Sequence, residues 1–199
     1  GFSGPSEHFD EIVQQTLKPC SHLLDAGCGC GKFFRLEHAK RLGSLIVGVD
    51  IAADIQQNAD LDLGVRGDLE NLPFTDSSFD VVVCRVVIEH LRQPSLALAE
   101  FYRVLAPGGR LFIFTPNLLH YFGLVAKCTP HRFHTWFNRR VRGFEEEDTF
   151  PTYYRANTRR ALRRLLASSG FHRVRIDLFE HRPDVLGFFL PLYFLGVAY

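Results

Sequence analysis

Short apolar runs rich in β-branched residues alternate with helix-like stretches along residues 22–114, and this alternation is the strongest constraint on the fold. The predicted strands cover residues 22–25, 45–50, 64–68, 79–84 and 110–114. Strands separated by helices at this spacing pair in parallel and are covered by helices on both faces. We therefore expect an α/β fold with a doubly wound, mostly parallel sheet, whose ligands bind at the carboxyl ends of the strands.

Helix signals fall between and after these strands. Ser6 is predicted to cap a first helix, and further helices are expected over residues 32–42, 52–59 and 94–105. After an aromatic and basic stretch without a clear period, Asn157 and Thr158 mark the start of a helix that ends at Gly170. Alternating polar and apolar residues then predict an edge strand that contains Val174, Ile176 and Leu178.

At 199 residues the chain has the usual length of one domain. Within it we expect a core over 20–117, an insertion over about 118–156, a helix and edge strand over 157–180, and an apolar tail over 185–199. The tail is shorter than the roughly 18 residues that a membrane-spanning helix needs.

Charge and cysteine usage exclude some classes of protein. Lys and Arg number 23 against 22 Asp and Glu, so the net charge of +1 does not indicate a polyanion-binding protein. Residues 127–175 hold 12 Lys and Arg against 4 Asp and Glu, which keeps nucleic acid as a minority alternative. The five cysteines form no CxxC pair, so we expect reduced thiols and a cytoplasmic location.

The first predicted strand runs into DAGCGCG over residues 25–31, a carboxylate followed by alternate glycines. A phosphate-binding P-loop is excluded, because Ala26 and Phe33 stand where that motif requires a glycine and a hydroxyl group. Lys32 replaces the third glycine of the dinucleotide motif, which disfavours a nicotinamide-dependent oxidoreductase but leaves it open. A carboxylate beside a glycine turn suits a bulky, cationic ligand that approaches the backbone closely.

Two further aspartates follow the next predicted strands. Asp50 lies 19 positions after Gly31, where a carboxylate can accept both hydroxyl groups of a ribose. Asp68 ends the third predicted strand and, with the backbone of Leu69, is placed to accept an exocyclic amine such as that of adenine. One aspartate after a strand is often a helix cap, but acids at three successive strand ends indicate a binding site.

Residues 23–117 resemble the class I S-adenosylmethionine-dependent methyltransferases, especially the small, single-domain enzymes of the methyltransferase type 11 group. LLDAGCGCGKF is similar to the family's first motif, VGVDI to its ribose-binding strand end, and GDLENLPFTDSSFDVVVCRVVIEHL and LAPGGRLFIFTPN to its third to fifth strands. The resemblance implies a Rossmann-like fold and the cofactor S-adenosyl-L-methionine, with S-adenosyl-L-homocysteine as product. The cofactor-binding residues that it implies are Asp25, Gly27, Cys28, Gly29, Gly31, Asp50, Ile51, Asp68, Leu69 and, through its backbone, Arg85.

The implied reaction moves a methyl group to a small-molecule, sugar or lipid-like acceptor. In-line transfer from a sulfonium depends mainly on alignment, so a general base is optional. His90 is the candidate base and Glu89 the lesser one, although His90 serves equally well to orient the following segment. The acceptor-binding candidates are Tyr121, His131, His134, Tyr153, Tyr154 and Arg155. We expect no metal, because His131 and His134 have no carboxylate or cysteine at partner spacing.

Residues 185–199 depart from the family pattern. These residues do not show the pattern of the family's usual antiparallel seventh strand. We therefore expect that C-terminal strand to be missing and residues 185–199 to form an apolar helix. Packing on the sheet is the favoured interpretation of this segment, and contact with a bilayer or a lipid-like acceptor is the alternative. The TPN motif at 115–117, unlike the NPPY type, argues against nucleic acid as the acceptor. A non-catalytic binding module on the same fold also stays open.

Overall fold

The structure is a computed structural model that describes residues 4–31, 36–118 and 150–179. Its strands, β1 to β5 in chain order, are His22–Ala26, Leu45–Asp50, Leu63–Arg66, Phe79–Arg85 and Leu105–Phe114. Its α-helices, α1 to α4, are Pro5–Thr16, Glu37–Arg41, Pro94–Val104 and Arg159–Ser168. Two short 3-10 helices, Ala53–Gln57 and Ile88–His90, follow β2 and β4.

The described strands form one parallel sheet in the order β3-β2-β1-β4-β5. The chain adds β2 and β3 on one side of β1 and then crosses back to add β4 and β5 on the other side. Asp25 in β1 is level with Gly48 of β2 and with Val83 of β4. Because the strand order reverses beside β1, a crevice for ligands lies at the carboxyl ends of these strands. The predicted doubly wound, parallel sheet is confirmed.

Helices cover both faces of the sheet, and each face has its own apolar core. On one face, Phe9 of α1 packs in a buried cluster with Leu23 of β1. On the other face, Phe101 of α3 and Leu166 of α4 share a cluster with Leu24. Successive strand residues point to opposite faces, so Leu23 and Leu24 enter different cores. This two-sided burial explains why the central strands read as continuous apolar runs.

The structure corrects several predicted helix boundaries. The first helix begins at Pro5 with Gly4 as its N-cap, because proline suits the first helical position, and Ser6 therefore lies inside the helix. α2 is shorter than the predicted helix over 32–42, of which residues 32–35 lie outside the described part of the chain. The predicted helix over 52–59 is a 3-10 helix.

Two strand boundaries also differ from the prediction. β3 ends at Arg66, so Asp68 lies two residues beyond the strand instead of at its end. β5 begins at Leu105, five residues before the predicted start, because Leu105 already pairs with Phe79. The register then shifts, so that Val81 pairs with Arg110 and the residues between Leu105 and Arg110 form an irregularity within the strand.

Residues 171–179 form no strand, so the predicted edge strand is wrong for this described segment. The alternating pattern places Val174 against the core cluster, but Leu178 is 57% exposed. Alternation decides which side chains face inward, whereas a strand also needs a neighbouring backbone for hydrogen bonds. The preceding helix, α4, is capped as predicted by Thr158, whose Oγ1 accepts the N–H of Ala161 at 3.2 Å.

Candidate functional site

Hydrogen bonds join the glycine turn after β1 to the end of β2. The N–H of Gly27 donates to the carbonyl oxygen of Val49 at 2.8 Å, and the N–H of Gly29 donates to Oδ2 of Asp50 at 2.9 Å. Oδ1 of Asp50 accepts the N–H of Ala52 at 2.8 Å. Because a carboxylate offers about four lone-pair positions, Asp50 keeps acceptor capacity for hydroxyl groups of a ligand.

Gly27 and Gly29 both have left-handed backbone conformations, but their surroundings differ. At Gly27, where φ is +81°, a Cβ would lie 2.3 Å from Cγ2 of Val87. At Gly29, where φ is +50°, a Cβ would meet no described atom within 4 Å. The turn is therefore closely packed at Gly27 and open at Gly29, where a ligand can approach the backbone.

A pocket lies between the glycine turn and the end of β4. Its lining residues are Asp25, Gly27, Cys28, Gly31, Leu36, Asn58, Asp60 and Arg85. Burial raises the pKa of Asp25 to about 7; the Arg85 guanidinium opposes this rise and the Asp50 carboxylate adds to it. Burial also raises the pKa of the Cys28 thiol, which therefore stays neutral. A wider depression between Lys40, Ser44 and Asp62 lies beside the first residue of β2, away from the strand ends that hold the predicted residues.

Arg85 lines this pocket with its side chain and also holds α1. Its Nη1 donates to Oδ1 of Asp10 at 2.8 Å, and its Nη2 contacts Oγ of Ser6. Its guanidinium carbon lies 5.7 Å from the ring centroid of Phe114. The Arg85 and Asp10 side chains are 11% and 9% exposed. The prediction assigned only the backbone of Arg85 to the site and missed this ion pair between distant parts of the chain.

Glu89, the lesser base candidate, forms a buried polar cluster at the ends of β4 and β5. It is 2% exposed, and its Oε2 accepts the hydroxyl of Thr115 at 2.9 Å. Oγ1 of Thr115 in turn accepts the amide N–H of Asn157 at 2.6 Å. Burial raises the pKa of Glu89, although hydrogen bonds from its own backbone and from Thr115, and the charge of His90, lower it. The cluster ties the start of α4 to the carboxyl edge of the sheet.

His90 lies next to this cluster and is half-buried. Its Nδ1 is 3.1 Å from the carbonyl oxygen of Pro151, and its ring lies 6.2 Å from that of Phe150. When Nδ1 donates to that carbonyl, Nε2 is the acceptor nitrogen of the neutral ring. The contact joins His90 to residues 150–151 and not to the segment that directly follows it, so its orienting role and its role as a base both stay predictions.

Residues 150–157 lie against the turn that follows β4. The N–H groups of Tyr153 and Tyr154 donate to the carbonyl oxygen of Glu89 at 2.8 and 3.2 Å. Nε of Arg92 donates to Oη of Tyr153 at 2.9 Å, and Nη1 of Arg155 donates to the carbonyl oxygen of Arg92 at 2.6 Å. The predicted acceptor residues Tyr153, Tyr154 and Arg155 are thus brought together beyond β4.

The residues predicted to contact the adenine and the ribose beyond β2 and β3 differ in their exposure. Asp68 is exposed, and its Oδ1 accepts the N–H of Glu70 at 2.9 Å, as in an aspartate-initiated turn. Leu69 is 4% exposed, whereas Ile51 is 54% exposed. The cofactor roles of these three residues stay predictions.

Several predicted features lie outside the described residues, namely Tyr121, His131, His134 and the apolar stretch 185–199. Within residues 4–31, 36–118 and 150–179, no group of three or more His, Cys, Asp or Glu side chains could hold a metal ion. No helix in this part of the chain has the length and apolar character needed to cross a membrane.

The sequence that forms the crevice at the carboxyl ends of the strands is similar to that of a known protein family. Residues 24–113 match the model of a family described as a methyltransferase domain, and they include the glycine turn, Asp50 and nearly all of β5. Over this range the chain is similar to methyltransferase domains, and its sheet has the class I methyltransferase fold.

Curated methyltransferases are similar to the core of this chain. The chain is 37% identical over 104 residues to malonyl-[acyl-carrier protein] O-methyltransferase of Erwinia billingiae (strain Eb661), covering 50% of this chain and 41% of the relative. It is 33% identical over 117 residues to ubiquinone biosynthesis O-methyltransferase of Xanthomonas axonopodis pv. citri (strain 306), covering 54% and 48%. The chain spans less than half the length of either relative.

A solved structure of a methyltransferase from Methanosarcina mazei shares the fold. It is described as S-adenosylmethionine-dependent, and its TM-score is 0.58 at 24% sequence identity, covering 86% of this chain and 90% of that one. This likeness shows the class I methyltransferase fold, which confirms the predicted Rossmann-like architecture.

Proposed function

We propose that this methyltransferase binds S-adenosyl-L-methionine at the carboxyl ends of β1 and β2 and methylates a small-molecule, sugar or lipid-like acceptor. The observation that carries the proposal is the pairing of Gly29 with Asp50. The glycine leaves open space beside the backbone, and the carboxylate that fixes the turn keeps lone pairs for hydroxyl groups. A nucleoside ligand needs both features.

The residues of the pocket fit the amino-acid end of this cofactor. That end carries an ammonium, a carboxylate and a nearby sulfonium, and the pocket contains both the carboxyl of Asp25 and the guanidinium of Arg85. Burial is the main cause of the raised pKa of Asp25, and the charge of Arg85 offsets it only in part. The ammonium and the sulfonium would add positive charge beside this carboxyl. We therefore assign Asp25 to the cationic groups and Asp50 to the ribose.

The acceptor side lies beyond β4 and β5, where Glu89, His90 and residues 150–157 pack together. When bound, the cofactor supplies a methyl group that takes a lone pair from the acceptor while the sulfur keeps the electrons of the broken bond. The role of the chain is to align that lone pair and to exclude water. His90 is proposed to accept the acceptor's proton when the acceptor is a hydroxyl group.

We expect the affinity for S-adenosyl-L-homocysteine, which retains the ammonium, to fall as the pH drops through 7. Asp25, with its pKa raised to about 7 mainly by burial, is mostly ionised at pH 8 and mostly protonated at pH 6. If only the ionised form binds the ammonium, the dissociation constant should be about tenfold larger at pH 6 than at pH 8. Calorimetry at both pH values tests this.

Asp25→Asn is the control for this pH dependence. The variant cannot ionise, so it should bind more weakly at pH 8 and lose most of the difference between the two pH values. Equal affinity of the unsubstituted protein at pH 6 and pH 8 would show that Asp25 does not contact a cationic group.

The class of acceptor can be read from the bond that carries the transferred methyl group. The protein is incubated with methyl-tritiated S-adenosyl-L-methionine and a protein-free extract of bacterial metabolites and lipids. A methyl ester releases volatile methanol in mild base, whereas a methyl ether or methylamine does not. We expect label in a low-mass or lipid product, and none with Asp50→Ala.

The other outcomes decide between the alternatives. Cofactor binding without any transfer, in extracts from several sources, would favour a non-catalytic binding module. A second incubation with total RNA and DNA should leave the nucleic acids unlabelled, because we propose no nucleic-acid acceptor.

We also propose a cytoplasmic location, supported by the four free cysteines of the described residues. For the apolar stretch 185–199, packing on the sheet stays the favoured prediction and peripheral contact with a lipid or membrane surface its alternative.

A further inference from the structure

Two arginines share one tyrosine ring on the acceptor side of the sheet. The guanidinium carbons of Arg92 and Arg155 each lie 5.7 Å from the ring centroid of Tyr153. Arg92 is fixed by its bond to the tyrosine hydroxyl, and Arg155 by its bond to the carbonyl oxygen of Arg92. Both positively charged side chains are therefore held against the same ring.

No acidic side chain of the described residues neutralises this pair. Among them, no carboxylate oxygen lies within 4.0 Å of either guanidinium. Glu70 instead uses Oε1 to accept the N–H of Gln93 at 2.7 Å, and Glu89 is engaged by Thr115. Both Nη groups of Arg92, and Nε and Nη2 of Arg155, make no hydrogen bond within this part of the chain.

Stacking on Tyr153 stabilises each arginine only modestly, because both arginines are exposed. The arrangement therefore contributes little to folding. Planar guanidinium groups with unused N–H donors are well suited to bind the oxygens of a carboxylate or a phosphate.

We propose that Arg92, Arg155 and Tyr153 form an anion-binding site that takes a carboxylate or phosphate group of the methyl acceptor. This inference rests on the proposed function, because it assigns the anion to the acceptor. The site is placed for that role: Arg92 lies two residues after His90, and the backbone of Tyr153 is bonded to Glu89 at the carboxyl end of β4. An acidic acceptor is thus expected, with its anionic group held by the arginines.

The test follows the side-chain Nε–H signals of the arginines by NMR while malonate or inorganic phosphate is added. Malonate represents a carboxylate source of the anion and phosphate a phosphorylated one. We expect saturable shifts of the Arg92 and Arg155 signals with at least one of the probes. Arg92→Gln and Arg155→Gln should each weaken that binding at least about tenfold.

Two controls separate a built site from general positive charge. Arg159→Gln, in the exposed first turn of α4, removes the same charge and should leave anion affinity unchanged. Arg155→Lys keeps the charge but loses the planar donor geometry, so it should bind more weakly than the unsubstituted protein. Shifts that do not saturate, or affinity lost equally in Arg159→Gln, would overturn the proposal.

S-adenosyl-L-homocysteine binding is measured on every variant and should be unchanged, which also shows that the variants are folded. Normal binding of this product together with absent anion binding would refute the anion site alone. Anion binding by a protein that does not bind the product would refute the proposed function, and with it the assignment of the anion to a methyl acceptor.

Discussion

Replacing Gly27 by alanine is expected to lower the free energy of unfolding by about 2 to 4 kcal/mol. The new Cβ would lie 2.3 Å from a methyl carbon of Val87, in a backbone conformation with φ of +81° that alanine rarely adopts. Val87 follows β4, so relieving the overlap requires the two central strand ends to move apart. Urea denaturation of the two proteins measures the difference.

Gly29→Ala should instead spare the fold and weaken cofactor binding. Its Cβ meets no described atom within 4 Å, so the stability cost is the left-handed conformation alone, about 1 to 2 kcal/mol. The same methyl group would occupy the open space that we assign to the cofactor. Gly108→Ala is the matched control, because Gly108 also has a positive φ and an open Cβ position but lies within β5.

We expect Gly29→Ala and Gly108→Ala to have similar stability, and only the former to lose affinity for S-adenosyl-L-homocysteine, by at least about tenfold. Denaturation and calorimetry on the same samples give both quantities. Unchanged affinity in Gly29→Ala would place the ligand elsewhere. A large loss of stability in Gly29→Ala would show that the open space at this turn is not available in solution.

The sheet and the position of the glycine turn beside Asp50 could be predicted from local sequence. Each strand in the centre of a parallel sheet is buried on both faces, so it reads as an apolar run with turn residues at its ends. Asp25 and Asp50 follow two such runs directly, and parallel neighbours bring their carboxyl ends together. Local pattern and topology were therefore sufficient to place the glycine turn beside Asp50.

The contacts of Arg85 and Glu89 could not be predicted in this way. Arg85 and its partner Asp10 are 75 positions apart, and their pairing depends on how α1 lies across the sheet. Glu89 did carry a signal, since a carboxylate within the apolar run VVIEHL is costly to bury without a partner. The sequence does not reveal that this partner is Thr115, because that contact depends on the register of β4 against β5.

The edge strand expected around Val174 shows the limit of periodicity. An alternating pattern predicts that one side of a segment faces the core, and Val174 does pack there. It does not supply a partner for the backbone. Similarly, His90 follows β4 as predicted, but its position gave no indication that Pro151 would accept a hydrogen bond from its ring.

Asp50→Ala is expected to weaken S-adenosyl-L-homocysteine binding about 100-fold or more, because two charge-assisted hydrogen bonds to the ribose would be lost. The substitution also frees the N–H groups of Gly29 and Ala52, which loosens the turn that meets the ligand. Asp76→Ala is the matched control. Like Asp50, Asp76 accepts a hydrogen bond, here from Arg103, but it lies outside the strands and away from the pocket residues, and its side chain is 76% exposed.

The most direct test of the central claim is calorimetric titration of S-adenosyl-L-homocysteine and, separately, of NADH into the unsubstituted protein, Asp50→Ala and Asp76→Ala. We predict micromolar binding of S-adenosyl-L-homocysteine alone, lost in Asp50→Ala and retained in Asp76→Ala. Binding of NADH instead would favour the oxidoreductase alternative. Failure of folded, unsubstituted protein to bind S-adenosyl-L-homocysteine would contradict the proposed cofactor site.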